Sequence, residues 1–254
     1  MYGGRARLGL IVPSTNSVVE PEFQHYAPVG VSTLATRVPV AEARDESEKV
    51  ATIVAMRDRI PAAAAELSDV RPNVVAYACT SGSFLEGRDS DEKTCCELVA
   101  ITGVPSLTTS TAVVAALRSV RAKKIAVITP YIESVAAGAR AYLDQHGFDV
   151  VAHSDLGLLS NLEKGRLPAD ACSRLARGTN LADADAVLIC CTNWRSLDVV
   201  AKLERDLGRP VISSNLSTLW ASLVLAGIAS DRRPGVQLME CAGEQLPEYV
   251  VPAS

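Results

Sequence analysis

Two matching stretches decide the fold, Val74-Val75-Ala76-Tyr77-Ala78-Cys79-Thr80 and Ala186-Val187-Leu188-Ile189-Cys190-Cys191-Thr192. Each is a short apolar run typical of a buried strand, and each ends at a cysteine that precedes threonine. In open parallel α/β sheets, ligands bind at the carboxyl ends of the strands. We therefore predict that Cys79 and Cys191 each lie at the ligand-binding edge of a sheet.

Similar runs alternate with amphipathic helical patterns along the whole chain. Between the runs, apolar residues recur three or four positions apart, as in Val50, Ile53 and Val54. The predicted strands are residues 8–12, 31–38, 73–78, 106–108, 124–129, 149–152, 186–190 and 211–213. Strands separated by helices predict βαβ units and an α/β fold with parallel sheets.

Three landmarks recur in the same order in the two halves of the chain. Leu10-Ile11-Val12-Pro13 recurs as Ala126-Val127-Ile128-Thr129-Pro130, Cys79-Thr80 as Cys191-Thr192, and Gly103-Val104-Pro105 as Gly208-Arg209-Pro210. Coincidence among ordinary strand and turn signals is the alternative to a duplication. If the halves are related by a pseudo-twofold axis, the two thiols face each other across an interdomain cleft.

Composition narrows the class of protein. The 254 residues, 48% apolar and 21% charged, can form one large core or two small ones. A net charge of −4 without a long basic cluster argues against nucleic acid and membrane surfaces as partners. Without an apolar run of about 20 residues or a signal peptide, a cytoplasmic location is expected. Seven cysteines without a CxxC pair predict reduced thiols and no metal site.

The position of the thiols suggests their chemistry. A cysteine at a helix N-terminus has a lowered pKa and can act as a base or a nucleophile. Of two facing thiols, one could remove a proton while the other returns one, or one could add to a double bond while the other protonates the neighbouring carbon. Buried cysteine as a small apolar residue is the alternative. Either Cys190 or Cys191 could be the second facing thiol, because adjacent strand residues point to opposite faces. Cys191 is favoured because it directly precedes Thr192.

Small polar residues follow the same strand ends and predict a carboxylate site built from neutral donors. They are Ser14, Thr15 and Asn16 after the first strand, Thr80 and Ser81 after Cys79, Tyr131 after Pro130, and Thr192 and Asn193 after Cys191. Several of them could equally be plain helix N-caps. The three histidines, at 25, 146 and 153, lie apart, in a helical stretch, at a helix end and just after a strand. The glycine-rich phosphate loops of nucleotide enzymes are absent.

The motifs Pro13-Ser14-Thr15-Asn16, Tyr77-Ala78-Cys79, Thr129-Pro130-Tyr131 and Cys191-Thr192-Asn193 together resemble the aspartate/glutamate racemase superfamily, in the branch of maleate isomerases and arylmalonate decarboxylases. The resemblance implies two flavodoxin-like α/β domains related by pseudo-twofold symmetry, with the active site in the cleft between them and no cofactor. Residues 1–103 and 208–254 would form the first domain, because the strand and helix after Gly208 would cross back to it. Residues 104–207 would form the second.

The resemblance also assigns roles in the site. Cys79 would add to the double bond of the substrate as nucleophile, and Cys191 would act as acid and base. Asn16, Tyr131 and Asn161 would hold the substrate carboxylates. The segment Thr80-Ser81-Gly82-Ser83 is more similar to arylmalonate decarboxylases, which nevertheless have glycine where this chain has Cys79.

The sequence therefore predicts a cofactor-independent isomerase of a small dicarboxylate, with maleate to fumarate as the specific hypothesis. Racemisation or decarboxylation by the same two cysteines is the alternative enzyme reaction, and a non-catalytic carboxylate-binding protein is the third hypothesis. A homodimer is a candidate assembly.

Overall fold

The computed structural model describes residues 2–228 and 236–253, and its strands form two parallel four-stranded sheets. The first sheet contains β1 (Ala6–Pro13), β2 (Val31–Val38), β3 (Val74–Tyr77) and β4 (Ser106–Thr108). The second contains β5 (Lys124–Tyr131), β6 (Asp149–Leu158), β7 (Ala186–Ile189) and β8 (Val211–Ser213). The orders are β2-β1-β3-β4 and β6-β5-β7-β8, the flavodoxin-like order in both cases. The predicted α/β class with two parallel sheets is confirmed.

Helices connect the strands in both halves. In the first half they are α1 (Val19–Tyr26), α2 (Glu46–Ala55), α3 (Ile60–Ser68), α4 (Thr80–Phe84), α5 (Arg88–Thr102) and α6 (Thr109–Ser119). In the second half they are α7 (Glu133–Gln145), α8 (Asn161–Gly165), α9 (Ala171–Gly178), α10 (Val200–Leu207) and α11 (Ser214–Leu225). Short 3-10 turns cover Met56–Arg59, Gln237–Glu240 and Glu248–Val250.

The burial of the central strands explains why their sequences are continuous apolar runs. All residues of β3 and β7 are buried, and so are nearly all of β1 and β5, because helices cover both faces of a parallel sheet. The outer strands β2 and β6 are mostly half-buried or exposed and carry many polar residues. The buried side chains of both halves form one contiguous core.

Two glycines mark equivalent points of the two halves. Gly103 and Gly208 follow α5 and α10 in the left-handed conformation, with φ of 67° and 62°, which glycine adopts without steric cost. The strands that follow, β4 and β8, each end at a residue that caps the next helix, Thr108 for α6 and Ser213 for α11. These matched positions support the pseudo-twofold relation predicted from the repeated landmarks.

The sheets correct one part of the predicted organisation. β4 pairs with β3 in the first sheet, and β8 pairs with β7 in the second. The predicted boundaries instead assign β4 to the second domain, residues 104–207, and β8 to the first domain, through residues 208–254. Each short strand extends the sheet that immediately precedes it. Helices do cross over, since α11 packs against β3 and α6, and α6 also contacts β8. The division into separate domains stays a prediction, and residues 1, 229–235 and 254 lie outside the described part.

Across residues 2–228 and 236–253, the structure contains no helix with the length and apolar character needed to cross a membrane.

Candidate active site

The carboxyl ends of β3 and β7 meet at a cavity between the two halves. Cys79 and Cys191 both line it, and each is only 5% exposed. The cavity has a volume of about 40 Å³, enough for a few water molecules. The other predicted site residues on its wall are Thr15, Asn16, Thr80, Ser81, Tyr131, Asn161, Thr192 and Asn193. The fold thus brings together groups that lie far apart in the sequence.

Ser14 does not line this cavity. Its side chain is exposed at the end of β1, and its hydroxyl accepts a hydrogen bond from the Val40 amide at 3.0 Å. Cys190 is also absent from the cavity wall and is buried in the core, because adjacent residues point to opposite faces of a strand. The geometry therefore favours Cys191 over Cys190 as the thiol that faces Cys79.

Cys79 sits in a tight turn between β3 and α4. Its Sγ accepts a hydrogen bond from the Gly82 amide at 3.3 Å, and the Ser81 hydroxyl lies 3.9 Å away. Gly82 has no room for a side chain, since a Cβ there would collide with the Tyr77 hydroxyl and lie 3.0 Å from Sγ. The glycine allows the backbone to approach the sulfur closely.

Cys191 has a different environment. Tyr131 and the backbone of Asn193 stabilise its thiolate by hydrogen bonding, and the charge of Lys164 does so electrostatically. No helix begins directly after it, since residues 192–193 form a turn and α10 starts at Val200. The predicted helix N-terminus at this second thiol is therefore wrong.

Burial sets the acidity of both thiols. It raises the pKa of the Cys79 thiol, and the Gly82 amide together with the nearby hydroxyls of Tyr77 and Ser81 offsets only part of that increase. Burial likewise raises the pKa of the Cys191 thiol, against the opposing effect of Lys164. The sequence predicted the opposite direction. The loss of water around the sulfur outweighs the local donors.

We expect both thiols to be protonated at pH 7 in the free protein. Because their pKa values lie above the ordinary thiol value, thiolate absorbance near 240 nm should rise only at clearly alkaline pH. The signal of the two cysteines is the difference between the wild-type protein and the double variant Cys79→Ser/Cys191→Ser. The same pair in urea supplies the ordinary titration as a control. A thiolate signal below pH 7 in the folded protein would contradict the burial argument.

Hydrogen bonds of the predicted donors tie the two halves together. Asn16 Oδ1 accepts from the amides of Val18 at 2.9 Å and Val19 at 3.1 Å, while its Nδ2 donates to Thr192 Oγ1 at 3.1 Å. The Thr192 hydroxyl donates to the carbonyl of Ala78 at 3.2 Å. These bonds fix the strand ends that carry the two cysteines.

The Asn193 amide is used in a similar way. Its Oδ1 accepts from the Ser17 amide at 3.0 Å, and its Nδ2 donates to the Asn161 carbonyl at 2.7 Å. The Thr80 hydroxyl donates to Ser214 at 2.9 Å. Positioning of the cleft is thus an observed effect of these side chains, and their contact with substrate stays a prediction.

Two lysines that the sequence motifs did not indicate complete the polar wall. Lys49 and Lys164 are 1% and 3% exposed, and both line the cavity. Lys49 Nζ donates to Asn161 Oδ1 at 2.6 Å, and Lys164 Nζ lies 5.4 Å from the centre of the Tyr131 ring. A site built only from neutral donors is therefore wrong for this chain.

The sequence around Lys49 contains a pattern that indicates the burial of this lysine. Lys49 lies on the buried stripe of its helical segment, in line with Ile53, Met56 and Ile60 at the spacing of one helix face. A lysine on an apolar stripe indicates a buried charge. Lys164 lies in α8, which has only five residues and is too short to show an apolar stripe.

The lysines affect each other's protonation. Burial, and then the charge of Lys49, lowers the pKa of Lys164 to about 8. Burial also lowers the pKa of Lys49. Glu42 acts in the opposite direction on both ammonium groups.

Apolar side chains form the remaining wall. Val40, Ile53 and Met56 line the cavity next to the lysines. The site therefore combines two thiols, two ammonium groups, several hydrogen-bond donors and an apolar surface.

The histidines lie elsewhere, and none lines this cavity. His25 is in α1, His146 follows α7, and His153 lies within β6 rather than just after a strand. The predicted strand ends at Ala152, because residues 153–158 are half-buried or exposed and contain no continuous apolar run. The part of the chain that the structure describes contains no cluster of three or more metal-ligating side chains.

The fold and the site define a class of α/β proteins with two parallel sheets and a cysteine pair on the wall of one cavity. A family model for arylmalonate decarboxylase matches residues 8–238, and the chain belongs to that family. The resemblance inferred from the sequence motifs is therefore confirmed.

Similar proteins of known function fall into both parts of the predicted branch. A maleate isomerase of Nocardia farcinica is 32% identical over 236 residues, which cover 87% of this chain and 90% of that protein. An arylmalonate decarboxylase of Bordetella bronchiseptica is 31% identical over 166 residues, which cover 64% and 68%. Most of the chain thus aligns with a maleate isomerase.

Solved structures agree with this picture. A cysteine-to-serine mutant of the Nocardia farcinica maleate cis-trans isomerase, with a covalently bound succinylcysteine intermediate, superposes with a TM-score of 0.83 at 27% identity. The match covers 92% of this chain and 98% of that one. An arylmalonate decarboxylase structure superposes with a TM-score of 0.74 at 26% identity, covering 92% and 99%.

Proposed function

We propose that the protein is a cofactor-independent maleate isomerase that converts maleate to fumarate. The observation that carries the proposal is the pair of thiols, Cys79 and Cys191, on the wall of one cavity. The similarity to maleate isomerases over most of the chain supports it. A decarboxylase that resembles the arylmalonate decarboxylases, with glycine in place of Cys79, would need only the second thiol.

The first half of the reaction forms a carbon–sulfur bond. The reaction starts from the minor form in which Cys79 has lost its proton to solvent; this thiolate, assisted by the Gly82 amide and the charge of Lys49, adds to one alkene carbon of maleate. The electron pair of the double bond moves to the neighbouring carbon, which receives the proton of the Cys191 thiol. The product is a succinyl group on Cys79, in which the former double bond is a single bond.

The second half reverses these steps in another conformation. Rotation about the new single bond brings the two carboxylates to opposite sides. The Cys191 thiolate then removes the proton, the double bond reforms as fumarate, and Cys79 leaves as thiolate. Both cysteines return to their starting protonation states, so the cycle balances without a cofactor or a co-reactant.

Proton NMR of the purified protein with maleate tests the proposal. The vinyl signal of maleate should decrease while that of fumarate increases, and neither change should occur with the double variant Cys79→Ser/Cys191→Ser. Phenylmalonate and aspartate are followed in parallel samples. Loss of a carboxylate from phenylmalonate, or solvent deuterium at the α carbon of aspartate, with maleate unchanged would replace the proposal by a decarboxylase or racemase.

We also propose a cytoplasmic location and catalysis without a metal. Every cysteine in the described segments is free, which supports a reducing compartment. A small dicarboxylate is the proposed partner. Binding to nucleic acid or membranes is not expected, and the homodimer stays a prediction.

A further inference from the structure

The charges of Lys49 and Lys164 are not balanced by ion pairs. Lys49 donates to the side-chain oxygen of Asn161, and Lys164 donates to the carbonyl of Leu159 at 3.4 Å. Both acceptors are neutral. Neither lysine takes part in any of the ion pairs that the described residues form within 4.0 Å.

Burial of two like charges is unfavourable unless a ligand compensates it. Lysine is almost never fully buried without a partner, because its ammonium group loses the stabilisation by water. Here two such groups interact with each other inside one cavity. An anion between them would supply the missing partner for both.

The surroundings indicate which part of a substrate fits there. Asn161 Oδ1 accepts from Lys49, which leaves the NH₂ group of this amide to donate to a ligand. Two ammonium groups and one amide donor match the oxygens of a carboxylate. The apolar wall of Val40, Ile53 and Met56 lies next to this group and suits a hydrocarbon skeleton.

We propose that Lys49 and Lys164 together bind one carboxylate of the substrate and make the enzyme selective for acids over uncharged analogues. This inference rests on the proposed function for the identity of the substrate. The neutral donors near Cys79 and Cys191 then serve the other end of the molecule. An aryl group would not suit the lysine end, because it would leave two buried charges unpaired.

The same arrangement couples binding to a proton. Lys164, with a pKa of about 8, is partly neutral at pH 8 in the free protein, and a bound carboxylate favours its charged form. The titratable groups around it are Lys49, Glu42, Tyr131 and Cys191, of which the last two are neutral at this pH by burial. Binding at pH 8 should therefore take up a fraction of a proton. At pH 6.5 the uptake should vanish.

Calorimetry on the inactive double variant Cys79→Ser/Cys191→Ser measures binding without turnover. Maleate and its uncharged diamide are titrated at pH 8 in two buffers that differ in ionisation enthalpy. Maleate should bind at least about tenfold more tightly than the diamide, because charge-assisted hydrogen bonds are roughly twice as strong as neutral ones. Adding Lys49→Met or Lys164→Met should remove most of this preference.

Further variants separate charge from structure. Lys164→Arg should keep the preference for maleate but lose the proton uptake, because arginine stays charged. Lys202→Met, at an exposed lysine of α10, should change neither quantity. Unchanged maleate affinity in both buried-lysine variants, or no preference for maleate in the parent, would overturn the inference.

The NMR assay keeps the two proposals apart. Fumarate formation by wild-type protein together with lysine-independent binding leaves the isomerase standing and rejects the carboxylate site. Lysine-dependent binding of maleate without fumarate formation supports the carboxylate site and rejects the isomerase.

Discussion

Replacing either Cys79 or Cys191 by serine is expected to lower the turnover of maleate at least about a thousandfold. A serine hydroxyl at neutral pH adds poorly to an alkene, and it also cannot replace a thiol as proton donor and acceptor. Both residues lie at the end of a strand on the cavity wall, so the fold should persist. Initial rates of fumarate formation and the thermal unfolding midpoint together check the expectation.

Two other cysteines serve as matched controls for this result. Cys190→Ala changes the buried neighbour of Cys191, and Cys96→Ser changes an exposed thiol of α5. Both variants should keep turnover within a few fold of wild type. Wild-type rates in Cys79→Ser or Cys191→Ser would reject the paired mechanism, and a large loss in Cys190→Ala alone would show that Cys190 is the second reacting thiol.

Gly82→Ala is expected to lower both the stability and the activity of the protein. Its Cβ would collide with the buried Tyr77 hydroxyl, and overpacking of this kind costs about 1–3 kcal/mol of unfolding free energy. Displacing the Gly82 amide also weakens its hydrogen bond to Cys79 Sγ, and a small misplacement of a reacting group can cost about a hundredfold in rate. Urea unfolding and initial rates measure the two effects.

A second substitution tests whether the collision is the cause. Tyr77→Phe removes the hydroxyl that the new methyl group meets first, so Gly82→Ala/Tyr77→Phe should regain part of the lost stability relative to Gly82→Ala. Gly178→Ala is the control, because no atom of a neighbouring residue lies within 4 Å of the position that its methyl group would occupy. Equal stability of Gly82→Ala and wild type would show that the turn can relax, and would refute the steric argument.

The strand ends were predictable because their signals are local. β2, β4 and β8 coincide with the predicted ranges, and the central strands differ from them by a few residues at most. Buried parallel strands consist of continuous apolar runs, and the cysteines directly follow two of them. The predicted range of the edge strand β6 ends too early, at Ala152, because the second part of the strand contains no such run.

Local sequence could not predict which sheet the short strands β4 and β8 join. β4 and β8 each contain three residues, and their sequences do not specify a neighbour. Pairing with β3 and β7 follows from the path of the preceding helix, whereas the crossing of α6 and α11 depends on packing between the halves.

The sequence by itself determined the α/β class, the order of strands and helices, and the two cysteines at equivalent strand ends. These features depend on short-range periodicity and on the position of a residue relative to its own strand. Tertiary structure decided the rest: which thiol of the Cys190–Cys191 pair faces the cavity, the raised pKa values of both cavity thiols, and the arrival of Lys49 and Lys164 beside them. Desolvation and contacts between distant residues exist only once the chain has closed around the site, so no local pattern could contain them.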